Sequence, residues 1–324
     1  MFDEKKLYLF DLDGTLLGSD KTIPEGALAV LGEYRRAGVM IGVSTSRSAE
    51  NSAQYTGRLV PDVIIASGGA TVELRGEKIF ESAVEAAQVR ELVRYAKSVV
   101  GGDVNITLDA ADGSYYLNFV MPDDVLTRSF RRGRKITFRN FRKSALKICL
   151  EIADAGKARE VIGHFPQLDA IKFSDGDWYK FTNHGITKEH AIDVLCECLG
   201  LPSEQIVAFG DDLADIGMLQ CCGRGIAMGN AEPEVKRIAD EVIGGNDERG
   251  IEIFLRTERV RRMEELFNLA KAGKANKEQI DVLKNYLNDG FLGDYEADEE
   301  GMFPRDMLRG VLSQDALYDL LEEL

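Results

Sequence analysis

Lys5-Lys6-Leu7-Tyr8-Leu9-Phe10-Asp11-Leu12-Asp13-Gly14-Thr15 reads as a short apolar strand that ends in two carboxylates and a turn glycine. Residues two apart on a strand point the same way, so Asp11 and Asp13 are expected on one side of its tip. Open α/β sheets bind ligands in the crevice beyond the carboxyl ends of their strands. There, one carboxylate can attack phosphorus while the other moves a proton. Taken alone, the same residues also fit a capped turn.

Working outward, Pro24 opens a helical stretch to about Arg36, and Gly38 ends it. Val39 to Val43 forms a second apolar strand that stops at Ser44-Thr45-Ser46-Arg47. Strand, helix, strand implies a parallel crossover. A third strand follows at Val63 to Ala66, then a hairpin of Thr71 to Leu74 and Lys78 to Phe80. From about Ser82 the style changes to a helix near Ala86 to Val99, followed by alternating strands with turn signals at Asp112-Gly113 and Asp175-Gly176, an α+β insertion. The βα style returns at Ile186, with a helix from Lys188 to Leu199 and a strand from Gln205 to Phe209 ending at Gly210-Asp211-Asp212. It runs on to about Leu255.

The remaining stretch, 257–324, is helical in pattern and carries nine basic and sixteen acidic residues. Asn276 is a candidate N-cap, and Leu317, Leu320, Leu321 and Leu324 fall along one face of a second helix. Such a face packs on the body, on a second copy or on a protein partner.

A chain of 324 residues with 44% hydrophobic content can bury more than one core, and its formal charge of −15 argues against wrapping a nucleic acid polymer or an anionic membrane. No apolar run reaches the length of a membrane span, and the opening residues lack the apolar stretch of a signal peptide, so a cytoplasmic protein is expected. Five cysteines match neither a zinc site nor a redox pair and are expected to be reduced. Within so acidic a chain, residues 125–150 hold nine Lys or Arg and no Asp or Glu.

Asp-x-Asp-Gly-Thr, Ser44-Thr45-Ser46-Arg47, Lys188 and Gly210-Asp211-Asp212-x-x-Asp215 occur in that order. The ordered set resembles the haloacid dehalogenase-like superfamily. Gly185-Ile186-Thr187-Lys188, Ala208-Phe209-Gly210-Asp211 and Ala227-Met228-Gly229-Asn230-Ala231 are similar to its Cof-type branch of small-molecule phosphatases. The likeness covers residues 5 to about 255. It implies an α/β fold: a Rossmann-like parallel-sheet core over 1–81 and 184–256, an α+β cap domain over 82–183 that chooses the substrate, and a helical extension over 257–324 with no counterpart in the family.

The resemblance further implies a Mg²⁺-dependent phosphatase acting on a small phosphorylated metabolite through an aspartyl-phosphate. Asp11 is then the nucleophile and Asp13 the general acid and base. Asp11, the Asp13 carbonyl and Asp211 hold the metal. The Leu12 amide, Thr45, the Ser46 amide and Lys188 hold the phosphoryl oxygens. Asp215 and Asn230 are expected behind these groups, orienting them. From the basic run, Arg131 and Arg134 are expected to attract a second anionic group of the substrate.

Ala214 stands where the family usually places an Asn that donates to the phosphate. The loss of such a donor costs about 3 kcal/mol of transition-state stabilisation. Transfer of the phosphoryl group to another sugar hydroxyl is one alternative, and a slow binding or regulatory protein using its acidic tail is another.

Overall fold

The computed structural model describes residues 6–120, 133–173, 176–277 and 279–280. In chain order these form β1 (Leu7–Phe10), α1 (Glu25–Arg36), β2 (Met40–Ser44), α2 (Ala49–Thr56), β3 (Val63–Ala66), β4 (Thr71–Leu74), β5 (Glu77–Glu81), α3 (Ala86–Val99), β6 (Ile106–Ala110), β7 (Tyr115–Leu117) and β8 (Arg134–Lys135). Then come β9 (Ala145–Glu151), α4 (Ala155–His164), β10 (Leu168–Lys172), β11 (Trp178–Asn183), α5 (Lys188–Leu199), β12 (Ile206–Gly210), α6 (Ile216–Cys221), β13 (Arg224–Ala227), α7 (Pro233–Ile238), β14 (Glu241–Val242) and α8 (Gly250–Lys271).

Eight strands make one sheet in the order β14-β13-β12-β1-β2-β3-β4-β5. The six from β14 to β3 are parallel, and β4 and β5 add an antiparallel hairpin at one edge. The protein is therefore an α/β fold. β1 and β12 are buried along their whole length. That is why both read as unbroken apolar runs and not as alternating ones.

After β1 the chain builds outward through β2 and β3, and it returns much later to lay β12 on the other side of β1. The boundary between β1 and β12 is a topological switch point, where the strand ends open a crevice. Phe10 and Phe209 stack across it with ring centroids 4.5 Å apart, and the Asp11 amide donates to the Phe209 carbonyl at 2.9 Å. The two acidic strand tips are thereby held level.

A second sheet, ordered β10-β11-β9-β6-β7-β8, is inserted between β5 and α5 and is antiparallel except where β7 meets β8. The helix α3 buries Val89, Leu92, Val93 and Ala96, spaced for one helical face, against Ile106, Leu108, Ile148, Leu150 and Phe181. α4 starts at Asp154, whose carboxylate caps the Gly156 and Lys157 amides.

The residues that alternate with this apolar set are Thr107, Asp109, Lys147, Cys149, Lys180 and Thr182, brought side by side by the registers Thr107 with Cys149, Asp109 with Lys147 and Lys180 with Cys149. A polar strand face normally meets water. Here each of the six is at most 9% exposed. The sheet thus has an apolar face under its helices and a polar face that is also covered.

The compact unit that holds both sheets spans Asp3–Gly250. α8 runs as a single helix across the 256/257 boundary expected from the sequence, and the compact units divide at Gly250 instead. Beyond it, Asn276 accepts from the Gln279 amide at 2.8 Å while Gln279 accepts from the Asn276 amide at 2.9 Å, a reciprocal helix start. The leucine face expected over 313–324 lies outside the described residues. Among the described residues no helix is long and apolar enough to cross a membrane.

Candidate active site

Asp11 follows β1, Asp211 follows β12, and Asp215 sits one turn beyond Asp211. Each offers a carboxylate oxygen within 4.8 Å of the other two. Lys188, the first residue of α5, reaches into this group: its ammonium donates to Asp11 Oδ1 at 2.7 Å, to Asp215 Oδ1 at 2.6 Å and to the Ser44 carbonyl at 2.8 Å. Only 3% of Lys188 and 1% of Asp215 is exposed. Two buried carboxylates therefore hold this ammonium directly, and the half-buried Asp211 stands beside them with no cation of its own among the described residues.

The electrostatics follow from that imbalance. Burial works against the Lys188 ammonium, but Asp11 and Asp215 outweigh it and raise its pKa. Burial pushes Asp11 well above the ordinary carboxylate range, only partly opposed by Lys188. Burial likewise carries Asp211 up to about 7, against the hydrogen bond it accepts from Thr15. The surplus of negative charge is what a divalent cation relieves, and carboxylate oxygen is the donor such hard cations take. The residues present fit a divalent metal.

Asp215 has little left to offer a ligand. Its Oδ1 accepts from Lys188 and its Oδ2 from the Asp211 and Asp212 amides, at 3.0 and 3.1 Å. Gly14 closes the opposite wall. Its φ is +80°, and a Cβ there would stand 2.2 Å from Asp211 Oδ2, so glycine is needed both for the turn and for the approach of the two strand tips.

Asp13 lies apart from this cluster, clamped by cations. Arg47 binds it two-pronged, Nε to Oδ2 at 2.5 Å and Nη2 to Oδ1 at 2.6 Å, and Lys21 adds a contact at 2.8 Å. Burial alone raises the Asp13 pKa, yet Arg47 and then Lys21 reverse this and hold it below the ordinary value. The sequence reading left Arg47 and Lys21 without a role. Arg47 follows the Ser44-Thr45-Ser46 tip, and that adjacency was the available signal.

A model of the haloacid dehalogenase-like hydrolase family matches residues 8–255. The chain belongs to the haloacid dehalogenase-like hydrolases. It is 27% identical to the 5-amino-6-(5-phospho-D-ribitylamino)uracil phosphatase YitU of Bacillus subtilis, over 78% of this chain and 98% of that protein. It is 30% identical to the HMP-PP phosphatase of Escherichia coli O8, over 71% of this chain and 86% of that one. Its fold matches the solved phosphatase BT1666 from Bacteroides thetaiotaomicron with a TM-score of 0.68 at 24% identity, over 78% of this chain and 94% of that one. Residues 254–324 match a second family model, described only as a domain of unknown function.

Within this hydrolase, Thr45 is buried and its hydroxyl accepts from the Arg47 amide at 3.1 Å. Among the described residues, the Leu12 and Ser46 amides donate to no protein acceptor. Leu12 is fully buried, and buried amides are nearly always paired, so its open amide, with that of the half-buried Ser46, suits an anion. Asn230 touches none of the carboxylates: its amide donates to the Gly14 carbonyl at 2.7 Å, and its oxygen accepts from the Asn246 amide at 3.0 Å. It ties the Asp-x-Asp-Gly turn to a neighbouring loop.

Of the cations expected to meet a second anion, Arg131 lies outside the described residues and Arg134 is exposed on a two-residue strand. Lys147, from the same basic run, instead donates to the Ser46 carbonyl at 2.7 Å.

Proposed function

We propose that this hydrolase is a Mg²⁺-dependent phosphatase that cleaves a small phosphorylated metabolite through a phospho-aspartate on Asp11. The enzyme class is phosphoric monoester hydrolase. The observation that carries the reading is the group of Asp11, Asp211 and Asp215 around Lys188 at the switch point, with Asp13 on a separate cationic clamp. The phosphatase relatives support the same reading.

In the first half-reaction an Asp11 oxygen attacks phosphorus, the bond from phosphorus to the ester oxygen breaks, and Asp13 gives that oxygen a proton. In the second, Asp13 takes a proton from water, the water oxygen attacks phosphorus, and the carboxylate of Asp11 leaves. Asp13 at rest is held ionised by Arg47 and Lys21, the state that serves the second step. A phosphoryl group entering between the Leu12 amide, Thr45 and the Ser46 amide competes for those cations, and this frees Asp13 to carry a proton for the first step.

Lys188 keeps Asp11 oriented and neutralises an oxygen of the group being transferred. Bound Mg²⁺, held by Asp11, Asp211 and the Asp13 carbonyl, supplies further charge neutralisation. The inserted sheet is the cap, and its covered polar face is where the leaving group is read. A soluble metabolite is the substrate class, acting without nucleic acid or membrane partners. The stretch that matches the domain of unknown function serves self-association or a protein partner.

The test is phosphate release from a panel of sugar phosphates, nucleotides and phosphorylated cofactors, with Mg²⁺ or with chelator. Release that depends on metal supports the reading, and folded protein that releases nothing across the panel refutes it.

Metal binding should also displace protons. Asp211 keeps its proton up to about pH 7 in the folded chain, against 3.8 for an ordinary aspartate. Between those values the folded state holds a proton that the unfolded state has lost. Stability of the metal-free protein therefore falls as pH rises from 3.8 to about 7 and then levels. Allowing for the partial exposure of Asp211, the loss is on the order of 1–3 kcal/mol. Thermal melts at several pH values should follow this slope without metal and lose it with Mg²⁺. Calorimetry in two buffers should find roughly one proton released per ion near pH 6.5. A metal-free melting temperature that climbs across this range would contradict the assignment.

A further inference from the structure

Three lysines meet where the polar face of the inserted sheet approaches the loops of the parallel sheet, and two of them are balanced. Lys188 lies between Asp11 and Asp215. Lys147 pairs with Asp109 at 3.0 Å and donates to the Ser46 carbonyl. Lys180 has no such partner. It is 2% exposed, and among the described residues its ammonium makes no hydrogen bond and no ion pair.

Room for Lys180 is made by a glycine. Gly68 has φ of +70°, and a Cβ on it would fall 2.4 Å from the Lys180 ammonium, so a larger residue at position 68 would collide with the lysine end. Burial, reinforced by Lys147 and then Lys188, pushes Lys180 down to about 8. An unpaired buried ammonium destabilises the fold unless something supplies the missing charge.

The surroundings indicate what supplies it. Lys180 lines a cleft of ≈ 100 Å³ whose walls include Thr187, Lys188, Leu213 and Ala214. Lys188 connects the cleft to Asp11, and the short side chain of Ala214 leaves it open. Glu189 also lines the cleft, but its carboxylate packs over Gly217 and makes no ion pair with Lys180.

We infer that Lys180 receives a second anionic group, a carboxylate or a second phosphate, carried on the leaving part of the substrate. The inference rests on the phosphatase reading and narrows its substrate class to phosphorylated acids and bisphosphates. A neutral sugar offers nothing to balance the ammonium. An anion-binding role is thus inferred for a buried lysine outside the basic run.

The test uses the native chain, Lys180→Met and Lys180→Arg with glycerol 3-phosphate, 3-phosphoglycerate and propane-1,3-diol bisphosphate in Mg²⁺. The native chain should favour one of the two probes with a second anion, and which one identifies the carboxylate or phosphate source. In Lys180→Met the preference over glycerol 3-phosphate, as a ratio of kcat/KM, should fall by about 10- to 100-fold, mainly through KM, with part of it kept by arginine.

The same pairs of probes are then titrated into Asp11→Asn protein with and without Lys180→Met, where Kd for the favoured probe should weaken by a similar factor. This arm does not need turnover, so absent phosphate release would overturn the phosphatase reading while the binding result still judges Lys180. Metal-free Lys180→Met should also melt higher than the native chain, since it loses a buried unpaired charge. Equal loss on all three probes, or a lower melting temperature with the preference intact, would make Lys180 a structural residue and overturn the inference.

Discussion

Asp11→Asn should release phosphate at least ~10⁴-fold more slowly than the native chain, because an amide cannot attack phosphorus and, among the described residues, the neighbouring carboxylates are committed elsewhere. Asp215 is spent on Lys188 and two backbone amides, and Asp13 is held by Arg47 and Lys21. The substitution is nearly isosteric, and the Lys188 ammonium keeps Asp215 and the Ser44 carbonyl as acceptors.

Stability should move the other way. Burial raises the pKa of Asp11 above its unfolded value. Its ionised form is thus the disfavoured one in the metal-free fold, and the sign is that stability is lost as pH rises. Removing the ionisable group removes that loss, so metal-free Asp11→Asn should melt at or above the native temperature at pH 7.5 and below it in neither buffer nor salt. Single-turnover assays and melts on one preparation separate the two effects. A variant that keeps more than about 1% of native turnover would show that Asp11 is not the nucleophile, since loss of a covalent nucleophile removes far more than that.

The parts of this site that were legible in the sequence are those whose chemistry is local. Asp11 and Asp13 stand at a strand end marked by an apolar run on one side and a turn glycine on the other, and Asp211 and Asp215 repeat the pattern after β12. Lys188 was legible through the family resemblance, and its place is marked by Thr187, which starts a helix there and caps the His190 amide with its hydroxyl. Turn and cap preferences act over a few residues, so the string itself records them.

The covered polar face of the inserted sheet was hidden for the opposite reason. Ile-Thr-Leu-Asp-Ala over β6 and Trp-Tyr-Lys-Phe-Thr-Asn over β11 alternate in the way a strand with one wet face does, yet Asp109, Lys180 and Thr182 are all buried. Period two says which residues share a face, not what covers it. The charge run drew attention to Arg131 and Arg134 because composition weighs number, and it does not show that Lys147 and Lys180 are buried. The boundary set at 256/257 fell inside α8 because helical periodicity continues through that stretch and no breaker interrupts it.

Lys188→Met separates charge balance from chemistry. In the native fold the ammonium faces two carboxylates, at 2.7 and 2.6 Å, in a site from which water is nearly excluded. Its removal leaves Asp11, Asp211 and Asp215 with no cation among their described partners. Breaking a buried ion pair by deleting one side costs about 3–5 kcal/mol. That loss should appear at pH 7.5 in chelator as a large drop in melting temperature.

The pH dependence has a definite sign. Without Lys188, Asp11 and Asp211 are raised further above their unfolded values, so the variant is most stable where they are protonated in both states and weakens as pH rises. The gap to the native chain should therefore narrow steadily toward pH 4. Mg²⁺ should recover part of it at neutral pH by supplying the missing positive charge. Adding Asp215→Asn to Lys188→Met should restore stability further, because one of the stranded carboxylates is gone, yet turnover should stay at least ~10²-fold below native, since a preorganised donor to the transferred group is still missing. If Lys188→Met were as stable as the native chain in chelator at pH 7.5, the three carboxylates would not depend on this ammonium, and the charge surplus from which the metal site was argued would have to be sought elsewhere.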